Sequence, residues 1–304
     1  MEFTTQLQAY RARIETGMEN LLPPATTRPT RLHAAMRYSL QAGGKRLRPI
    51  LALAAADVFA GIDSKIEKPT SKISDALPVA IALECIHTYS LVHDDLPCMD
   101  NDDLRRGQPT CHKQFDEATA LLAGDALLTL AFQLVARHYA VTPTLATALT
   151  GILAEAAGSE RLIGGQMEDL LAEKKPAATA DELDFIHHNK TGAMLTASLL
   201  AGGRCGGATE VQLEQLRQAG KHLGLAFQIV DDVLDATADS TTLGKTAGKD
   251  AKAGKTTYVS LHGLDAARRH AREQTAAALT ALNRLPGGAP FLSALAENMA
   301  ARTS

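Results

Sequence analysis

The chain contains no tryptophan, and aromatic residues supply only 4% of its 304 positions. A site that shelters free cations against aromatic faces has little to be built from. An excess of charge is missing as well. The net charge is −3 and the basic residues fall in small clusters, so there is no stripe for nucleic acid. The four cysteines, Cys85, Cys98, Cys111 and Cys205, show no CxxC spacing. Neither a zinc ribbon nor a disulfide framework is indicated, and they read as free thiols in a reducing compartment. The opening stretch MEFTTQLQAYRARIE lacks a basic segment leading into an apolar one, so no secretory leader is expected. The most apolar window, residues 118–136, carries Asp125 beside Gly124 in its middle, which favours a buried helix over a bilayer span. A soluble, cytoplasmic protein is the expectation.

Runs of alternating β-branched residues are also lacking. What is present is helical: long segments rich in Ala and Leu, with apolar positions three and four apart, in a chain that is 45% hydrophobic and 21% charged. The spacing predicts helices over roughly 2–21, 29–41, 46–60, 75–96, 115–139, 144–163, 180–202, 209–236, 256–283 and 289–302. Breaks fall at LPPATTRP (22–29), GIDSKIEKPTSKIS (61–74), EKKPAAT (173–179) and PGGAP (286–290). Thr179 followed by Glu182 predicts a capping box. None of these breaks reads as a domain linker and no repeat is visible, so residues 1–304 are expected to form one all-α domain.

The stretch LVHDDLPCMDNDDLRRG (91–107) crowds Asp94, Asp95, Asp100, Asp102 and Asp103 together and follows them with Arg105 and Arg106. Two like charges about 4 Å apart repel by roughly 1 kcal/mol in water and roughly 4 near a protein surface. Divalent cations, solvation on a loop, or the arginines must offset that repulsion. Pro97 disfavours helix at the residue before it, which would let Asp100 curl back towards Asp94. A second group, Asp231, Asp232 and Asp235, lies within GLAFQIVDDVLD (224–235). On a helix Asp231 and Asp235 share a face with Gln228, among apolar neighbours that do not suit a solvated surface. Two such groups could hold hard cations between them. Mg²⁺ fits because it keeps waters and binds through one or two carboxylates plus substrate phosphates. An EF-hand starting at Asp100 fails, since its fifth and sixth positions are Leu104 and Arg105. A P-loop ending in GKTT (254–257) fails because its first glycine would be Lys249.

Basic residues answer the acids. QAGGKRLRP (41–49) puts Lys45, Arg46 and Arg48 at the start of a helix, where anions are favoured. Lys190 and Thr191 follow a histidine pair, and Lys245 and Lys255 follow the second acidic group. His87 lies two turns before Asp94 on the same helical face. His187 and His188 are read as surface or structural residues.

Together these segments resemble the trans-prenyl diphosphate synthases, most of all the bacterial farnesyl diphosphate synthases. The resemblance is carried by GGKRLRP (43–49), HTYSLVHDDLPCMDNDDLRRGQPTCH (87–112), LAGDALL (122–128), GGQMEDL (164–170), KTG (190–192), GLAFQIVDDVLD (224–235), LGK (243–245) and GKTTY (254–258). It implies an isoprenoid-synthase helical bundle around a central cavity, working as a homodimer. It further implies Mg²⁺ held by Asp94, Asp100 and Asp231, with Asp95, Asp232 and Asp235 completing or supporting those shells. By the same resemblance Arg105, Lys190, Thr191, Gln228, Lys245 and Lys255 hold the diphosphate of the allylic substrate. Lys45, Arg48, His87 and Arg106 hold isopentenyl diphosphate. The implied reaction ionises the allylic C–O bond, adds the isopentenyl double bond to the cation and loses a proton, for which diphosphate is the remaining base.

Product length should depend on the floor beneath Asp94, formed by Ser90, Tyr89 and Ile86 at four, five and eight residues before it. Tyr89 is bulky enough to stop elongation, and a C15 product is expected. Three alternatives stand beside this reading. A geranyl or geranylgeranyl diphosphate synthase would differ in one floor residue. A cyclase would leave Lys45, Arg48 and His87 without a substrate. A silent helical subunit would not be expected to keep every motif. Asn101 departs from the family, whose bacterial members often carry aspartate there.

Overall fold

Alanine, leucine and glycine dominate the long apolar segments, and in the structure they become helices packed close enough for backbones to touch. The structure is a computed structural model that describes residues 2–60, 71–175, 177–237 and 256–301. Four helices come first: α1 (Phe3–Leu21), α2 (Thr30–Gln41), α3 (Leu47–Ala60) and α4 (Ser71–Asp94). A small hairpin, β1 (Leu104–Arg105) and β2 (Gln108–Pro109), precedes α5 (Cys111–Gln114), α6 (Glu117–His138), α7 (Pro143–Ala157) and α8 (Leu162–Ala172). Then α9 (Ala180–Ile186) runs through a π-helical turn (His187–Gly192) into α10 (Ala193–Gly206), followed by α11 (Glu210–Thr237). The chain closes with α12 (Tyr258–His262), α13 (Leu264–Leu282) and α14 (Pro290–Ala300).

The centre is a stack of α3, α4 and α10, where Leu51, Leu53, Ile81, Leu83, Ile86 and Leu199 are fully buried. Small residues set the crossings. A side chain at Gly202 would run into the Ala52 carbonyl of α3, and one at Gly224 of α11 into the Gly192 Cα of the π turn. At the α4–α6 crossing Gly124 makes room for the ring of His93. A second apolar cluster, with Leu183, Leu225, Ile229, Val230, Leu234, Tyr258, Ala267 and Ala271, surrounds the distal half of α11.

Two stretches, Ala76–Asp94 of α4 and Glu117–His138 of α6, are long and apolar enough to cross a membrane by length and composition, but 67% and 50% of their windows are buried inside the protein. That is the burial of core helices. The all-α expectation holds, with differences at five places. The capping box at Thr179 and Glu182 forms as expected. GGQMEDL forms α8, the 104–109 segment is a hairpin, and helix 180–202 contains a π turn. Gly263, at φ +81, splits the expected helix over 256–283. Helix α4 begins at Ser71, inside the segment expected to be a surface excursion.

Candidate active site

Asp94 is the last residue of α4, and the chain then reverses as Pro97 predicted. The Asp100 amide donates to the Asp94 carbonyl at 2.8 Å and the Asn101 amide to the Leu96 carbonyl at 3.1 Å. Asn101 sits at φ +51, a left-handed conformation that asparagine tolerates better than most residues, so its side chain suits the turn. The Asp94 carboxyl is 9% exposed and makes no hydrogen bond or ion pair among the described residues. Burial pushes its pKa up to about 6; the Lys190 charge opposes the rise and Asp100 adds to it. Desolvation of this kind is what a bound cation would relieve.

Asp95 is engaged differently. Arg105 forks onto it, Nε to Oδ1 at 2.8 Å and Oδ2 at 3.0 Å, and Nη2 to Oδ1 at 2.5 Å. The hairpin explains how adjacent arginines part company. Arg106 (φ +54) and Gly107 (φ +78) form a two-residue turn of the primed kind. Arg105 therefore faces the aspartates, while Arg106 reaches back to donate to the Gly43 carbonyl and lies against Gly44. Thr110 pins the hairpin through its amide to the Asp103 carbonyl at 3.0 Å and its hydroxyl to the Asp102 carbonyl at 2.8 Å. Asp102 lies 3.8 Å from Arg105, whereas Asp103 pairs with Lys113 at 2.8 Å.

On α11 the expected face is present: Gln228, Asp231 and Asp235 are all half-buried. Asp232 points elsewhere. It is buried, and its Oδ2 accepts the Tyr258 amide at 2.8 Å, tying α12 to α11. His187 was expected at the surface or in a structural role; it is 5% exposed, 3.9 Å from Asp232 and stacked on Tyr258. Burial holds its pKa down to about 4, so the ring is neutral. Tyr258 in turn donates to Asp184 at 2.5 Å. His188 is exposed, as expected.

The π turn connects the two acidic groups. Lys190 forms an ion pair with Asp169 of α8 at 2.6 Å and acts electrostatically on Asp94, while His187 of the same turn approaches Asp232. Thr191 is half-buried beside Lys190. Asp169 and Gln166 escaped the sequence reading as individuals, although GGQMEDL contains both. Gln166 is half-buried, and its amide oxygen and nitrogen, both shielded from solvent, have no hydrogen-bond partner among the described residues. The other side of the turn, His188, Asn189 and Gly192, lines a separate cavity of about 780 Å³ between α7, α9, α10 and α11.

The second cationic group assembles beside the first. His87 is surrounded by Arg48, Arg106, Arg105 and Arg46, and burial together with those charges holds its pKa well below the usual imidazole value. Burial lowers Arg48 to about 10, and its Nε has no hydrogen-bond partner among the described residues. Lys45 is exposed at the loop preceding α3. Below Asp94, Tyr89 is 5% exposed and edge-on to His93, and its hydroxyl has no hydrogen-bond partner among the described residues. Ser90 donates to the His87 carbonyl at 2.9 Å, and Ile86 is fully buried. Lys245 and Lys255 lie outside the described residues.

No three acids, histidines or cysteines converge on one point among the described residues. This suits Mg²⁺, which completes its octahedron with water and substrate oxygens, better than Zn²⁺ in an all-protein cage. The unpaired Asp94 and exposed Asp100 on one side, and Asp231 with Asp235 on the other, are the carboxylates that could hold it.

The helical bundle thus carries two acidic groups bridged by a lysine-bearing turn, beside an arginine cluster, an arrangement that could receive more than one polyanion. Residues 29–284 match the polyprenyl synthetase family. The chain is 47% identical over 250 residues to the farnesyl diphosphate synthase of Micrococcus luteus, covering 82% of each protein. It is 48% identical over 246 residues to the chloroplastic geranylgeranyl pyrophosphate synthase of Catharanthus roseus, covering 81% of this chain and 66% of that protein. The chain thus spans slightly under two thirds of its plant relatives' length. Among solved structures, an FPP/GFPP synthase from Zymomonas mobilis superposes with a TM-score of 0.83 at 37% identity, covering 98% of both chains. A geranyltransferase from Helicobacter pylori, complexed with magnesium and isoprenyl diphosphate, superposes with a TM-score of 0.81 at 33% identity over 97% of both chains. The chain belongs to the polyprenyl synthetase family.

Proposed function

We propose that the protein is a Mg²⁺-dependent prenyltransferase that joins isopentenyl diphosphate head-to-tail to dimethylallyl or geranyl diphosphate, ending at farnesyl diphosphate. The observation that carries this reading is the divergence of Arg105 and Arg106. One turn sends adjacent guanidiniums apart, Arg105 to the aspartates and Arg106 to the Gly43 carbonyl of the loop carrying Lys45 and Arg48, which supports two separate diphosphate sites. Two diphosphates, only one of them to be ionised, need that separation.

Asp94, Asp100, Asp231 and Asp235 would hold magnesium at the allylic diphosphate. Asp95 and Asp232 support that set, the first by orienting Arg105 and the second by anchoring α12. When bound, magnesium supplies charge that stabilises the departing diphosphate. Lys190, Arg105, Thr191 and Gln228 add fixed donors where negative charge develops, with Lys190 aimed by Asp169. Lys45, Arg48, His87 and Arg106 hold isopentenyl diphosphate so that its double bond meets the allylic carbon. The displaced diphosphate takes the proton that is lost. Tyr89 limits the product to C15.

A geranylgeranyl product is the second reading, favoured by the plant relatives' names. A homodimer is supported by apolar side chains left exposed on α6 (Leu121, Leu122) and α8 (Ile163, Met167). The four free thiols fit a reducing cytoplasm. The test is to incubate the protein with labelled isopentenyl diphosphate and geranyl diphosphate, with Mg²⁺ or with chelator, and separate the products by length. A Mg²⁺-dependent C15 product is expected. A C20 product would keep the chemistry and remove Tyr89 as the floor, and no condensation would overturn the proposal.

A further inference from the structure

Lys45 and Arg48 flank a residue that does not point the same way. Arg46 sits at φ +50, in the left-handed region, and its carbonyl accepts the Ile50 amide at 3.1 Å, starting α3. Its side chain runs inward and is 2% exposed. Nη1 donates to Glu84 at 3.0 Å, Nε to Glu15 at 2.8 Å and Nη2 to the Leu40 carbonyl at 2.8 Å. One guanidinium thus ties the loop to α4, α1 and the end of α2. Glu84 is as buried as Arg46 and stands three residues before His87 on α4. It is also the acid whose charge acts on both Arg48 and Arg106.

Both features carry a cost. A bulky side chain in the left-handed region is strained, and a buried ion pair often stabilises no better than apolar residues of the same volume. Packing alone would be served by a simpler choice. The two costs fall between Lys45 and Arg48, and on the helix turn next to His87.

We propose that Arg46 and Glu84 are positioning residues for the second diphosphate pocket. Arg46 locks the loop so that Lys45 and Arg48 are displayed at fixed places. Glu84 holds the pocket's guanidiniums together while no diphosphate is present to do so. This rests on the reading of that pocket as the isopentenyl diphosphate site.

The test measures KM for each substrate separately, kcat and Tm in four variants. Arg46→Lys keeps the charge but cannot span three partners. It should raise KM for isopentenyl diphosphate by about 10- to 100-fold, the scale of a misplaced binding group, while KM for geranyl diphosphate stays within about twofold. Arg46→Met/Glu84→Leu removes the buried pair together. It should recover Tm relative to Arg46→Met without recovering that KM. A KM that recovers with Tm, or two KM values that rise together, would show a merely structural tie and overturn the proposal. Lys45→Ala separates this outcome from failure of the underlying reading. If it leaves the isopentenyl KM unchanged, the pocket is not that substrate's site. If it raises that KM and Arg46→Lys does not, the pocket stands and the positioning role falls. Should the double variant not fold, the two KM values of Arg46→Lys decide alone.

Discussion

Replacing Asp94 by asparagine should abolish turnover and yet stabilise the metal-free protein. The carboxyl is buried at the end of α4 with no partner among the described residues, and its pKa rises from 3.8 to about 6. That rise corresponds to roughly 3 kcal/mol of penalty for holding the charged form in the folded state at neutral pH. Lys190 already offsets part of the desolvation, so a gain of about 1–3 kcal/mol for Asp94→Asn is the expected scale. In a chain of this size it amounts to a Tm increase of about 2–6 °C. The sign follows from the raised folded pKa. Below about pH 4 both states bind the proton and the variant gains nothing. Between about pH 4 and 6 the unfolded chain has lost this proton while the folded protein keeps it, so wild-type stability falls across that window, and above about pH 6 the variant's advantage holds at its maximum. Scanning calorimetry in chelator from pH 4.5 to 8 measures this difference. Mg²⁺ with diphosphate should raise the wild-type Tm and do little for Asp94→Asn, so the order of stabilities reverses on loading. A metal-free variant that melts lower than wild type at pH 7.5, or one still stabilised by Mg²⁺ with diphosphate, would refute the reasoning.

Three further outcomes are expected. Tyr89→Ala should extend products beyond C15 and cost about 3–5 kcal/mol in Tm-derived stability, since a buried aromatic is lost; unchanged chain lengths would remove Tyr89 from the floor. Gly224→Ala should destabilise by about 1–3 kcal/mol and reduce kcat, because its methyl would strike Gly192 and shift the turn carrying Lys190; a silent substitution would show that the crossing yields freely. His87 starts with its pKa well below 6.5 amid four arginines, so a diphosphate bound beside it should raise that pKa and draw in a proton near pH 6. Calorimetric titration of Mg²⁺-free protein with isopentenyl diphosphate, in buffers of different ionisation enthalpy, should show this uptake in wild type and not in His87→Gln.

Much of the bundle was legible because helical spacing and breaker residues agree with the tertiary structure. The reversal after Asp94 followed from Pro97, and the shared face of Gln228, Asp231 and Asp235 from periodicity. What escaped was set at long range. The predicted helix 144–163 left GGQMEDL unassigned, yet these residues form α8, and a side chain at Gly165 would collide with the Lys190 backbone of the π turn. A π turn adds one residue per turn and leaves the apolar pattern nearly unchanged, so 187–192 passed as ordinary helix. The ion pair between Lys190 and Asp169 spans 21 positions, and that of Arg46 with Glu84 spans 38; neither has a local signature. His187 looked like half of a polar pair, and only the approach of Tyr258 buries it.

The most direct test of the two-pocket account is to measure both KM values in Arg105→Gln and Arg106→Gln. The account predicts a split. Arg106→Gln should raise KM for isopentenyl diphosphate by about 10-fold or more and leave the allylic KM nearly unchanged, as befits loss of one charge-assisted contact. Arg105→Gln, which frees Asp95, should instead lower kcat and weaken the allylic diphosphate and its Mg²⁺ dependence. If both variants weaken the same substrate, the two guanidiniums serve one site and the central claim fails.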